Sequence, residues 1–270
     1  MGQINAHILV KNEENFIWFA IRSVIDYVDQ MLIYDTGSQD KTVEIIKTII
    51  SPKINFEEKG PVNLEQYIRL RQELIDRTKT DWFLQLDGDE VWPEDSIKSL
   101  IRLINKASDN VVGIVNRTRN CVGDIYHFLP EEAGDYQLLG RKGHLNIRAV
   151  RKTADLKVKL APPFNTYTET YINAKGPIPE QDGNLLFLDK YLWHMTHLCR
   201  SRFDDHGKGK LELGIPFPPQ TQYPEVFNLQ RPMMVADPWI EIKACDWVKS
   251  VLQTPLKKLK RKLTKDEIKR

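Results

Sequence analysis

Cysteine is scarce: the 270 residues hold three, Cys121, Cys199 and Cys245. They are odd in number and far apart, so they build neither a disulfide framework nor a paired zinc motif, and they read as reduced thiols. No apolar run reaches the roughly 18–20 residues that a bilayer crossing requires, and the stretch from Phe16 to Ile25 is broken by Arg22. The 14 glycines and 15 prolines follow no period, which excludes collagen-like and low-complexity chains. No repeat of solenoid length is present either. The start, Met1-Gly2-Gln3-Ile4-Asn5, has no basic segment followed by an apolar one, so a cytoplasmic protein is expected.

What is present is a chain able to pack a core. Hydrophobic residues make up 41%, with 10 Phe, 9 Tyr and 6 Trp, a composition that disfavours disorder. Charge is uneven. Residues 256–270 carry eight basic against two acidic side chains, net +6, which leaves 31 basic and 35 acidic residues, net −4, for the remainder. The overall +2 therefore describes the tail, and a basic body suited to nucleic acid is not expected.

Apolar periodicity alternates along the first half. Ala6–Val10 is strand-like, and Phe16, Phe19, Ala20, Val24 and Tyr27 follow at helical spacing. Strand-like Met31–Tyr34, helical Asp40–Ile50 and strand-like Lys53–Phe56 come next. Asn63, with Gln66 as its reciprocal partner, opens a helix to about Thr78. Trp82–Leu86 is the fourth strand, and Pro93-Glu94-Asp95 starts a helix to about Lys106. Strands separated by helices predict an open, mostly parallel α/β sheet with helices on both faces. Beyond Asn110, longer strand-like pieces such as Val111–Arg117 and Leu145–Val150 predict a smaller antiparallel part, and proline-bearing loops cover 161–190 and 207–238. The expected organisation is an α/β half over 1–110, a second half of the same domain over 111–206, and a proline-rich region with a basic amphipathic tail over 207–270.

Ligands of such sheets bind beyond the carboxyl ends of the strands. Three polar strand ends are expected to converge there: Lys11-Asn12-Glu13, Asp35-Thr36-Gly37-Ser38-Gln39-Asp40, and Asp87-Gly88-Asp89-Glu90. Two aspartates flanking a glycine at a strand tip suit a hard divalent cation bridging phosphate oxygens, although the same residues also make an ordinary acidic turn.

The segments I-L-V-K-N-E-E, Y-D-T-G-S-Q-D-K-T at 34–42, the helix with Arg69 and Arg71, and D-W-F-L-Q-L-D-G-D-E at 81–90 together resemble a family 2 glycosyltransferase of the GT-A (nucleotide-diphospho-sugar transferase) fold, firmly over residues 6–92 and more thinly to about 200. The resemblance implies a metal-dependent, inverting transferase that uses Mn²⁺ or Mg²⁺ and a nucleotide-diphosphate sugar, with a glycan or lipid-linked glycan as acceptor. It places Val10, Asn12 and Glu13 at the nucleotide pocket and Asp35 on the nucleobase, where Asp35 otherwise caps its own turn. Asp40 is assigned to helix capping. Arg71, or Arg69 beside it, is a candidate for phosphate or ribose. Asp87 and Gly88 meet ribose or metal-bound water, and Asp89 binds the metal. A histidine after an apolar run supplies a further ligand, His194 first and His197 second. The general base is Glu169 or Glu180, Glu169 being favoured because relatives carry a His-Glu pair some 25 positions before the histidine, of which this sequence keeps the Glu and has Thr168 in place of the His. Arg200, Ser201, Arg202, Asp204, Asp205 and His206, in a segment reaching Gly209, make either a lid over the diphosphate or a solvated connection.

Sugar nucleotidyltransferases share the architecture but need a glycine-rich phosphate loop after the first strand, and Lys11–Asn15 contains no glycine. A non-catalytic carbohydrate-binding scaffold is the other alternative. In the tail, Ile240, Ile242, Ala244, Trp247, Val248, Val251, Leu252, Leu256 and Leu259 recur at helical spacing around Pro255, beside increasing lysine. This pattern reads either as an interfacial helix touching the anionic inner face of a membrane or as a helix packed on the domain.

Overall fold

The computed structural model describes residues 4–161, 169–203, 212–242 and 244–267. Strand and helix alternate first: β1 (Ile4–Val10), α1 (Ile17–Val24, prolonged by a 3-10 turn over Ile25–Tyr27), β2 (Gln30–Asp35), α2 (Thr42–Lys47), β3 (Ile54–Glu58), α3 (Leu64–Arg77), β4 (Trp82–Gln85), the two-residue β5 (Glu90–Val91) and α4 (Glu94–Lys106). Strands then dominate: β6 (Gly113–Val122), β7 (Asp124–Phe128), the hairpin β8 (Tyr136–Leu138) and β9 (Arg141–Gly143), β10 (Leu145–Arg151), β11 (Lys157–Leu160), β12 (Glu169–Asn173), β13 (Gly176–Pro177), β14 (Leu185–His197) and β15 (Ile215–Pro216). The helix α5 (Ala244–Glu267) follows.

The main sheet runs in the order β15-β7-β6-β10-β4-β1-β2-β3, with β14 beside β6 and β5 beside β14. β1 pairs in parallel with β2 and β4, and β2 with β3. Because successive side chains point to opposite faces and both faces are covered, the middle of β2 (Met31–Tyr34) and most of β1 and β4 are apolar, with the polar exceptions Asn5, His7 and Gln85 buried. Ala6, Ile8, Met31, Ile33 and Leu84 pack with Ile17 and Ile21 of α1 and Ile97 and Leu100 of α4. On the other face Leu9, Leu32 and Tyr34 meet Leu74 of α3, and Phe83 meets its neighbour Ile75. The start of α3 has the expected reciprocal cap, with Asn63 accepting from the Gln66 N–H and Gln66 accepting from that of Asn63.

Three local expectations change, and the first is that 161–190, expected as loop, holds β12, β13 and the start of β14. α2 is shorter than Asp40–Ile50; its turns end at Lys47 and leave Ile50 fully exposed, just before Pro52, which cannot continue a helix. The strands after Asn110 are not all antiparallel. β6 is antiparallel to β7 and β10 but parallel to β14, since the chain crosses back through β11–β13 before re-entering the sheet.

Candidate active site

The turn after β4 sets the centre of the site. Glu90 N–H donates to the Asp87 carbonyl at 3.1 Å, and β5 then pairs with β14 so that Glu90 lies opposite His194. Met195 N–H donates to the Asp89 carbonyl at 2.9 Å. This pairing carries His194 from more than 100 positions away to the acidic turn, its Nε2 3.3 Å from Asp89 Oδ2. Gly88 is required by close approach: a Cβ there would lie 2.8 Å from Glu13 Cγ and 3.2 Å from Val10 Cγ2.

Arg148 of β10 donates to Asp87 Oδ2 at 2.7 Å and, through Nε, to Glu90 Oε1 at 2.9 Å. Burial raises the Glu90 carboxyl to about 7 against the pull of Arg148. Asp89 goes the other way: burial opposes its ionisation, but His194 and Arg200 outweigh burial and hold it at about 2. For His194, burial disfavours the imidazolium, yet Asp89 and Glu90 overcome this and raise its pKa.

One ligand atom each from Asp87, Glu90 and His194 lies within 4.8 Å of the other two. Two hard carboxylate oxygens and an imidazole nitrogen make a donor set for a divalent first-row ion or Mg²⁺. Ligands at about 2.0–2.2 Å from one ion stand up to roughly 4.4 Å apart, so the observed spacing closes on an ion with small side-chain shifts. The residues present fit a metal.

Asp87 and His194 line a cavity of about 910 Å³, within the range of small-molecule sites, while Glu90 is fully buried behind them. Lys11, Glu13, Arg71, Asp87, Gly88, Asp89, Glu169, His194, His197 and Arg200 are in its wall. Arg200 donates to Glu13 Oε1 at 2.9 Å and lies 3.4 Å from Asp89 Oδ2. Arg202 forks onto Glu14, so the segment after β14 is clamped to the loop after β1. Arg71 is 2% exposed; its Nε is 3.0 Å from Glu169 Oε1, and Gln85 Nε2 donates to the same oxygen at 3.0 Å. Tyr67 OH donates to Glu169 Oε2 at 3.0 Å. Arg69 instead points outward to Glu65.

Other sequence candidates sit elsewhere. Asp35 Oδ1 accepts from the N–H groups of Gly37 and Ser38 at 3.0 Å each, which is the capping geometry, and Asp35 is not in the cavity wall; its other oxygen, Oδ2, is buried without a partner. Asn12, at φ +56°, links the first two loops by accepting from Gln39 N–H and donating its own N–H to Ser38 Oγ. Val10 is buried beneath Gly88 and, like Asn12, is outside the wall. Asp40 accepts from Thr42 N–H at the start of α2. Glu180 is exposed on a 3-10 turn and is not in the wall. Thr168 and the lid segment Asp204, Asp205 and His206 to Gly209 lie outside the described residues. Sequence reasoning missed Arg148, Gln85 and Tyr67 as site residues, and it placed Glu90 in the acidic strand end without assigning it a ligand role. Of the three missed residues, Arg148 leaves a signal, a lone charge in the run Leu145–Val150.

The model of glycosyl transferase family 2 matches residues 6–157, more than half of the chain. The chain belongs to glycosyl transferase family 2. An uncharacterized glycosyltransferase of Rickettsia typhi is 33% identical to this family member over 90 residues, 33% of this chain and 29% of the relative. A TPR repeat-containing protein of Synechococcus elongatus is 30% identical over 90 residues, 33% of this chain and 21% of that one. The chain thus matches less than a third of the length of these curated relatives. Among solved structures, S. aureus TarS (residues 1–349) superposes with a TM-score of 0.48 at 12% identity, over 72% of this chain and 60% of that one. A Mycobacterium tuberculosis glucosyl-3-phosphoglycerate synthase, solved with Mn²⁺ and UDP-glucose, gives 0.34 at 18% identity over 44% of each chain.

Proposed function

We propose that this family 2 protein transfers a sugar from a nucleotide-diphosphate sugar to a hydroxyl of a glycan or lipid-linked glycan, with inversion at the anomeric carbon and with Mn²⁺ or Mg²⁺ as cofactor. The observation that carries the reading is the convergence of Asp87, Glu90 and His194 to ligand spacing, with Asp87 and His194 in the wall of a cavity large enough for the donor. These three residues would hold the ion, with Asp89 beside His194. When bound, the ion neutralises the charge that gathers on the departing diphosphate.

The chain's own groups do the rest. Arg148 spans Asp87 and Glu90 and keeps both carboxylates on one side of the turn. Arg200 and Lys11, in the cavity wall, present cations to the phosphates. Glu169 is our choice of base over Glu180 because it alone of the two faces the cavity. An ionised carboxylate has about four acceptor positions; Arg71 and Gln85 engage Oε1 and Tyr67 engages Oε2, which leaves a position on Oε2 for the acceptor hydroxyl. As the hydroxyl oxygen attacks the anomeric carbon, its proton passes to Glu169 and the bond to the diphosphate oxygen breaks. We place this activity in the cytoplasm, at the inner face of an anionic membrane.

The test is thermal stability across a panel of nucleotide sugars with Mn²⁺, since a ligand that binds the native state raises Tm. A selective gain that disappears with chelator supports the reading; no gain with any donor favours a non-catalytic scaffold. Glu169→Gln should keep the donor-dependent gain and lose transfer, whereas Glu180→Gln should keep both. Full transfer by Glu169→Gln would remove it as the base.

A further inference from the structure

α5 is turned inside out. At 100° per residue, Val248, Leu252, Leu256 and Leu259 fall within an arc of about 80°, with Ser250 and Thr254 opposite. Packing on the domain would bury the apolar arc. Instead Ser250 and Thr254 are 1% and 5% exposed, while Leu252 and Leu256 are each 69% exposed. Val248, Leu259 and Trp247 are also about half exposed.

The inverted seating is held in place. Leu213 N–H donates to Thr254 Oγ1 at 2.7 Å, and Thr254 Oγ1 donates to the Ser250 carbonyl at 2.6 Å. Upstream, Ile242 N–H donates to Asp124 Oδ2, and Trp239 packs against Tyr223 and Phe227. A polar face docked to the protein leaves the apolar face for something else.

We propose that α5 is the seat of the protein on an anionic lipid surface, its Val248-Leu252-Leu256-Leu259 stripe entering the headgroup boundary. The proposal specifies the membrane contact of the functional reading, and stands whichever sugar is transferred. Charge selects lipid over a second copy of this chain. Lys249 and Lys258 are exposed on the same helix, and the sequence from 256 to 270 has net +6, so two such tails brought together repel while an anionic surface attracts them. Exposed aromatic and aliphatic side chains beside lysine are the composition of helices lying in an interface. No helix among the described residues is long and apolar enough to cross a membrane, so α5 lies on the bilayer rather than through it.

The experiment is co-sedimentation of the full chain with vesicles of phosphatidylcholine containing phosphatidylglycerol, and with vesicles of phosphatidylcholine alone. We expect binding to the mixed vesicles that is roughly tenfold or more tighter than to neutral ones and that weakens with salt. Leu252→Ser with Leu256→Ser should weaken it by at least about tenfold, because each leucine loses its apolar burial in lipid. Both side chains are already in solvent, so the variant should melt with the parent; an unchanged Tm separates lost contact from lost folding. Absence of binding to the anionic vesicles overturns the proposal, and so does equal binding by the double variant. A concentration-dependent dimer in sedimentation velocity that the double variant abolishes, without vesicle binding, would assign the stripe to a second copy. Donor-induced stabilisation is read separately and tests only the transferase reading.

Discussion

Removing Arg71 tests whether the floor of the cavity is a coupled charge network. Arg71 is 2% exposed, and its guanidinium lies 3.0 Å from Glu169 and donates to Tyr67. Arg71→Met roughly preserves volume but leaves the Glu169 carboxylate buried with only Gln85 and Tyr67 as donors. Breaking a buried pair from one side costs about 3–5 kcal/mol. At about 2–4 °C per kcal/mol for a domain of this size, Tm should fall by roughly 10 °C. Adding Glu169→Gln removes the stranded charge, so the double variant should recover a large part of the loss. Urea unfolding of parent, both single variants and the double variant gives the coupling energy directly. A loss below about 1 kcal/mol for Arg71→Met would mean that the pair behaves like a surface contact. A double variant as unstable as the sum of the singles would show that the two groups do not act together.

Gly88→Ala places a Cβ 2.8 Å from Glu13 Cγ; we expect a loss of about 1–3 kcal/mol in urea melts, together with weaker donor binding. Hydrogen bonding by Arg202 lowers Glu14 to about 2. A depressed carboxyl stabilises above its unfolded pKa of 4.5, and that contribution disappears as pH falls from about 4.5 toward 2. Arg202→Gln should flatten the stability curve in that window, only modestly because the exposed Arg202 side chain is screened by solvent; identical slopes for parent and variant would refute it. His194→Ala should remove the Mn²⁺-dependent part of donor binding measured by calorimetry while leaving the fold intact, and unchanged metal dependence would take His194 out of the donor set. Asn63→Ala should cost about 1 kcal/mol through the lost cap of α3, read as a shift in the urea midpoint.

Much of the first half was legible because its signals are local. Apolar runs of both-face-covered strands, the Asn63–Gln66 cap and the glycine between Asp87 and Asp89 each follow from a few neighbouring residues. The acidic strand tip was legible for the same reason. Of its partners, His194 and Glu169 were named only through the family resemblance, and Arg148 not at all. Arg148 and Glu169 reach the site through β10 and β12, whose places depend on pairings that no short window of sequence encodes. Asp35 keeps both of its readings: the backbone of Gly37 and Ser38 takes up one of its oxygens, and the other is buried without a partner.

The amino-acid order alone determined that strands and helices alternate up to about residue 106, that two carboxylates end the fourth strand, and that the tail is basic and amphipathic. Periodicity, turn chemistry and charge are properties of consecutive residues, so they survive without coordinates. Tertiary structure decided that β14 runs parallel to β6 and brings His194 to Glu90, that Arg148 ties Asp87 to Glu90, and that α5 docks by Ser250 and Thr254. Each of these depends on which distant surfaces meet. That choice is made by the balance of burial over the whole chain and not by any one segment.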